Sequence, residues 1–253
     1  VLSQLIKPIT ALQFPLKEMP SSLLLNKDKS IEMYYAPFDH VNTAAKIVIC
    51  GITPGLQQAE IALQEAHRQL STNKPLPIVS QSAKETASFA GPMRKNLIRM
   101  LNHIGLQHRL GVNDCEELFT IRKDLVHYTS ALRYPVFVNG KNYSGRTPKM
   151  LGTPLLREAI EQYLGEELRQ LSSETLYVPL GDSVADVLFF MAESGYIKRE
   201  QILAGMPHPS GANAERIAFF LGEKSRENLS DKTNPEIILS KKQQLLSVLG
   251  YAV

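Results

Sequence analysis

Lys46-Ile47-Val48-Ile49-Cys50-Gly51-Ile52-Thr53-Pro54-Gly55 is an apolar run that stops in a turn made of two glycines around a proline. A short run of this kind, closed by Gly and Pro, reads as a buried strand. Leu56, Ala59, Leu63, Ala66 and Leu70 then recur at helical spacing, which predicts a helix over about 56–70. A second strand-like run, Gln201-Ile202-Leu203-Ala204-Gly205-Met206, leads into His208-Pro209-Ser210-Gly211. In an α/β sheet the loops at the carboxyl ends of the strands face one crevice, so segments far apart in sequence can line a single pocket.

Working outward, further strands are expected at 125–128 and 176–180, with helices at 93–103, 153–171, 182–194 and 213–221 and a last helix starting at Pro235. Strands alternating with helices predict a three-layer α/β/α sandwich around a short parallel sheet. Residues 1–45 carry scattered prolines without periodicity and read as an irregular amino-terminal wrap. Residues 71–88 are polar and broken by prolines, and read as a loop. Residues 222–234 are mixed in charge and weakly patterned, the start of a carboxyl-terminal loop and helix over 222–253. One domain spanning 1–253, with its α/β core at 46–221, is the expected organisation for 253 residues.

Hydrophobic content of 43% and charged content of 21% are those of a globular chain. No apolar run approaches the roughly 18 residues needed to cross a bilayer, and no basic segment followed by an apolar stretch marks a signal peptide. A monomer without membrane contact, in the cytoplasm or elsewhere inside the cell, is expected. Cys50 and Cys115 give no disulfide framework and fall short of the four thiolates of an iron–sulfur cluster, so neither metal nor cofactor is expected. A net charge of +3 is compatible with nucleic acid without arguing for it.

Gly51-Ile52-Thr53-Pro54-Gly55 lacks the glycine spacing of a dinucleotide loop and the Lys-Ser/Thr of a P-loop. What it offers is a fixed turn whose backbone can approach a ligand closely. His208, held by a following proline after a strand end, is placed to donate a hydrogen bond to a leaving oxyanion. Asn213 is expected to cap the next helix, and a helix start beside Ser210 suits a phosphate.

Four segments in this order, Gly51–Gly55, Phe89-Ala90-Gly91-Pro92, Thr129-Ser130-Ala131-Leu132-Arg133 and His208-Pro209-Ser210-Gly211, resemble the signature loops of the uracil-DNA glycosylase superfamily, nearest to its mismatch-specific branch. The resemblance spans roughly 46–220. It implies base flipping from DNA and hydrolysis of an N-glycosidic bond. By the same resemblance Phe89 stacks on the extruded base, although a core aromatic is the other reading, and Gly51, Ile52 and Ser130 line the base. Ser210, Gly211, Ala212 and Asn213 run along the DNA backbone. Arg94, Lys95, Arg133 and Arg146 are either phosphate contacts or ordinary surface cations.

The first loop departs from the family, which places Asn, Asp or another acid where this chain has Ile52 and Thr53. A threonine hydroxyl orients water but is a poor base, and Glu60 and Glu85 are alternative water-holders. Thr53 and Ser130 are also smaller than the family's amides, which points to a wider pocket and a modified pyrimidine such as a substituted cytosine. Two readings follow: a monofunctional glycosylase using His208 and Thr53, or a catalytically silent DNA-binding protein of the same fold. A nucleotide hydrolase would need a metal-binding carboxylate cluster that the sequence does not show.

Overall fold

The structure, a computed structural model, describes residues 1–88 and 92–250. In chain order it forms α1 (Ile6–Thr10), β1 (Leu24–Asp28), β2 (Ile31–Tyr34), β3 (Ile47–Gly51), α2 (Leu56–Ser71), α3 (Leu76–Ala87), α4 (Pro92–His103) and α5 (Leu106–Leu110). There follow β4 (Val126–Ser130), β5 (Val136–Val138), β6 (Lys141–Asn142), α6 (Pro154–Ala159), α7 (Gly165–Leu168), β7 (Leu176–Pro179), α8 (Asp182–Glu193), α9 (Ala214–Phe220) and α10 (Pro235–Val248).

The predicted α/β architecture is present: a three-stranded sheet in the order β4-β3-β7, flanked by helices. Strands β3 and β7 pair in parallel from Ile47↔Leu176 to Cys50↔Pro179. All five residues of β3 are buried, as expected for a strand covered on both faces. The strand expected at 202–206 shrinks to a single parallel bridge, Tyr177↔Ile202. Gly205 explains the break: its φ of +132° leaves the extended region, and a Cβ there would lie 2.5 Å from the Lys241 carbonyl of α10.

Two other expectations need correction. Residues 1–45 are not an irregular wrap, because β1 and β2 form a hairpin continued by β5 and β6 into a second, antiparallel sheet. Its turn places Lys29 at φ +51° instead of using glycine, so the usual hairpin signal is missing. Residues 71–88 contain α3, whose prolines at 75 and 77 start the helix instead of breaking it. Proline is tolerated in a first turn, where its missing N–H has no intrahelical partner in any case.

The chain falls into two compact units. The first comprises Val1–Val41, Gly51–Ala90 and Tyr128–Gln170. Its interior joins α2 to α3 through small side chains, with Ala59, Ala62, Leu63 and Ala66 on one helix and Val79 and Ala83 on the other, all fully buried. Asn142 of β6 starts α2, its amide oxygen accepting the Leu56 N–H at 3.0 Å. The same amide stands 3.3 Å from where a Cβ on Gly55 would lie, which accounts for a small residue there.

A helical stretch was expected over 153–171. It is interrupted by a π turn at Ile160–Leu164 between α6 and α7. Such turns tend to occur at functional sites.

The second unit comprises Asn42–Cys50, Gly91–His127 and Leu171–Val253. Its core draws on Ile47, Leu97, Met100, Leu101, Val178, Leu188 and Phe220. The stretch 222–234 is held by Glu215, which accepts from Lys224, from the Ser230 hydroxyl and backbone N–H, and from Thr233. These hydrogen bonds, that of Lys224 first, hold its carboxyl well below the usual carboxylate range.

Candidate active site

In the first unit the carboxyl end of β3 and the segment leaving β4 run side by side. Ala131 N–H donates to the Gly51 carbonyl at 2.8 Å, and Leu132 N–H to that of Ile52 at 3.0 Å. The Thr53 hydroxyl donates to the Tyr134 carbonyl at 2.9 Å and accepts the Val136 N–H at 3.1 Å. Gly51, Ile52, Thr53 and Ser130 therefore do come together at one pair of strand ends. Thr53, however, acts as a fastener: its only proton is committed to Tyr134, and a single lone pair remains for water.

The alternative water-holders each accept a hydrogen bond through one carboxylate oxygen. Glu60 Oε1 accepts the Leu16 N–H at 2.8 Å, and Glu85 accepts from Gln81 at 2.8 Å. Phe89, the expected stacking residue, lies outside the described residues.

Arg133 was expected at the surface as a phosphate contact, and this is corrected. It is 6% exposed and donates from Nε to Glu167 Oε1 at 2.5 Å and from Nη2 to the Tyr163 carbonyl of the π turn at 2.6 Å. Glu167, fully buried, also faces Lys84 Nζ at 3.7 Å. Lys84 itself donates to the His40 carbonyl at 2.7 Å. Two cations thus share one buried carboxylate, and burial pushes the Lys84 amine down to about 8. Beside them, Tyr35 and Tyr134 each donate to Asp39 at 2.5 Å. Sequence reading missed this cluster; its one signal was an acid, Glu167, inside an apolar helical pattern. Arg146 is exposed, as a phosphate contact must be.

The second unit holds the His208 loop. Ser210 N–H donates to His208 Nδ1 at 3.2 Å. With Nδ1 accepting, the neutral ring carries its proton on Nε2. Burial moves the ring's pKa below its ordinary 6.5, so the neutral form is favoured. The ring packs on Gly181, two residues past the end of β7, where a Cβ would meet His208 Cδ2 at 3.5 Å. Gly181 adopts a φ of +94°, which a side chain would strain.

Asn96 of α4 holds the loop from the other side, donating to the Pro209 carbonyl at 3.0 Å. Asn213 stands in the capping position but makes no side-chain cap bond. It donates instead to Ser210 Oγ at 3.1 Å and accepts from Arg216 at 3.1 Å. Gly211, Ala212 and Lys95 are exposed, while Arg94 lies over the Phe119 ring at 5.2 Å. Asn96 and Gly181 carried no sequence signal, because each serves through position.

No group of three or more His, Cys, Asp or Glu side chains among the described residues is arranged to hold a metal ion. No helix among them is long and apolar enough to cross a membrane.

Comparison with known proteins supplies the remaining findings. The family model described as Uracil DNA glycosylase superfamily matches residues 38–235. The chain is 34% identical over 206 residues to the protein named "Uncharacterized protein YoxB" of Bacillus subtilis (strain 168), covering 81% of this chain and 80% of that one. No solved structure matches.

Proposed function

Since the chain belongs to the Uracil DNA glycosylase superfamily, we propose that it is a monofunctional DNA glycosylase that flips out a uracil-like or modified pyrimidine, substituted cytosines included, and hydrolyses its N-glycosidic bond. The observation that carries this reading is the fixed tautomer of His208. The Ser210 N–H on Nδ1 leaves Nε2–H as a donor at the end of the strand-derived loop. As the glycosidic bond breaks, its electron pair moves onto the base, and a donor aimed at the base's carbonyl oxygen stabilises the anion as it forms. Water then adds to C1′ and loses its proton to solvent.

In this reading Gly51, Ile52 and Ser130 contact the base and Phe89 stacks on it. Thr53 offers water its remaining lone pair. Ser210, Gly211, Ala212 and Asn213 follow the DNA backbone. The rival, a silent DNA-binding protein, draws on one observation: the first loop has no carboxylate and its hydroxyl proton is already used. Incubating the protein with duplex and single-stranded DNAs carrying uracil and a series of 5-substituted cytosines, then cleaving abasic sites with alkali, separates the two. Strand cleavage after alkali at one modified position supports the glycosylase, and none at any position supports the rival.

The pH profile offers a separate check. A neutral donor whose pKa is lowered stays neutral as pH falls through 6.5. Single-turnover rates should therefore hold level through that value and fall only at lower pH, once a proton reaches Nδ1 and displaces the Ser210 N–H. A fall centred at or above 6.5 contradicts the assigned tautomer.

Salt dependence tests the phosphate contacts. Lys95→Ala and Arg146→Ala should each flatten the log–log slope of DNA affinity against salt by about 0.9. Arg133→Ala should leave that slope unchanged and lower the melting temperature instead, because its guanidinium is buried against Glu167.

A further inference from the structure

His208 is framed by two glycines at positive φ, Gly181 under its ring at +94° and Gly205 in the segment entering its loop at +132°. A Cβ at Gly205 would stand 2.5 Å from the Lys241 carbonyl oxygen and 3.3 Å from the Lys241 Cβ, so that segment runs directly against α10. The same lysine reaches the neighbour of the other glycine. Its Nζ donates to Asp182 Oδ1 at 2.6 Å, and Asp182 is the first residue of α8, next after Gly181. One residue of α10 therefore touches both stretches of chain that frame the imidazole.

The helix behind that contact is itself fixed. Ile238, Lys241, Lys242 and Leu245 share one helical face by their spacing, and Ile238 and Leu245 are buried. Lys242 Nζ donates to the Phe220 carbonyl of α9 at 2.9 Å and lies 2.5 Å from His103 Nε2 at the end of α4. From Glu236 onward, α10 lies beyond residues 38–235, the stretch that matches the superfamily.

We propose that Lys241 is a positioning residue for His208. Its backbone sets the course of the chain at Gly205, and its ammonium holds the start of α8, and with it Gly181, beneath the ring. The assignment rests on the reading of His208 as the donor to the leaving base. Such a donor works only when held within about 0.5 Å of its productive place, and a displacement of about 1 Å can cost a hundredfold in rate. Asp182 is exposed, so its pair with Lys241 adds little to stability. Its effect on the ring is therefore separable from folding.

The test uses the full chain with Lys241→Met, Asp182→Asn, the two combined, Lys241→Arg, and Gly205→Ala, which forces a methyl against the Lys241 carbonyl. Single-turnover base release is followed on whichever DNA the wild type cleaves. Affinity is measured for DNA carrying a tetrahydrofuran abasic site. The imidazole carbon and nitrogen resonances of His208 are recorded by NMR on the free protein and assigned by their loss in His208→Ala.

Lys241→Met and Asp182→Asn should each slow base release about three- to tenfold, a part of the roughly hundredfold that one such donor contributes. Affinity and melting temperature should barely change. The combined variant should be no slower than the slower single, because both remove the same contact. The His208 resonances should shift in Lys241→Met, and in Gly205→Ala if it folds, while Lys241→Arg should keep both rate and resonances. Unmoved resonances in Lys241→Met would overturn the assignment, as would unchanged release by that variant where the wild type releases base. A loss of affinity matching the loss of rate would make Lys241 a DNA contact and overturn it too. If the resonances shift while the wild type releases no base from any DNA, the positioning stands and the glycosylase reading fails. If the wild type releases base and Lys241→Met matches it in rate and resonances, the reverse holds.

Discussion

His208→Ala lowers the single-turnover rate of base release by about a hundredfold or more, the cost of removing one oxyanion donor in other enzymes, and leaves DNA affinity nearly intact. The separation follows from the local architecture. Ser210 and Asn213 hold each other through their side chains, and Asn96 holds the Pro209 carbonyl, so the loop keeps its course without the imidazole. What the variant loses is the Nε2–H that the Ser210 N–H forces onto the ring. That donor matters most when negative charge has developed on the base, which is why the rate falls and binding does not. Equal rates for variant and wild type would remove His208 from the chemistry.

Glu167→Ala destabilises the fold by about 3–5 kcal/mol, as expected when one partner of a buried ion pair is deleted and the other charge is stranded. Here two buried cations lose that carboxylate, Lys84 and Arg133, both less than a tenth exposed, and Arg133 keeps only a longer carboxylate contact, with Glu166 at 3.4 Å. For a chain of this size that amounts to a drop of roughly 10 °C in melting temperature.

Lys84→Met should behave differently. The Lys84 amine titrates near 8 in the folded protein, below its ordinary 10.5, so the folded state sheds that proton before the unfolded chain does. From this group alone, stability rises as pH climbs from about 8 toward 10. Lys84→Met should abolish that rise and cost little at neutral pH, because Arg133 still neutralises Glu167. Loss of stability in Lys84→Met as large as in Glu167→Ala would show that Lys84 is the main partner of the carboxylate.

The parallel sheet and its helices were legible because their signals are local. A solid apolar run gives β3, and residues at helical spacing give α2, α4 and α8. The hairpin of β1 and β2 was hidden because Lys29 takes a left-handed turn position without glycine, and its partner strand β5 lies about a hundred residues away in sequence. Prolines at 75 and 77 were read as breakers although Pro75 stands at the N-cap of α3 and Pro77 in its first turn, so proline position carries the information and proline count does not.

At the site, residues that act through their own motif were visible, notably His208 and the Gly51–Thr53 loop. Arg133 was placed wrongly because a basic residue in a polar stretch looks the same whether it faces phosphate or a buried acid, and its counter-ion lies 34 positions later at Glu167. Thr53 was read as free to hold water, yet its partners are the backbone groups of Tyr134 and Val136, which leave no trace in residue type.

The most direct test of the account is the identity of the released product. Wild type and His208→Ala are incubated, with a chelator present, with DNA bearing a uracil or a 5-substituted cytosine, and the small-molecule fraction is read by mass spectrometry while the strand is followed on a denaturing gel. The account predicts a free, intact pyrimidine base from the wild type, an unbroken strand that cleaves only after alkali, and a hundredfold slower release from His208→Ala. Release of a nucleotide or nucleoside, a strand break without alkali, or no base from any of the substrates would contradict it.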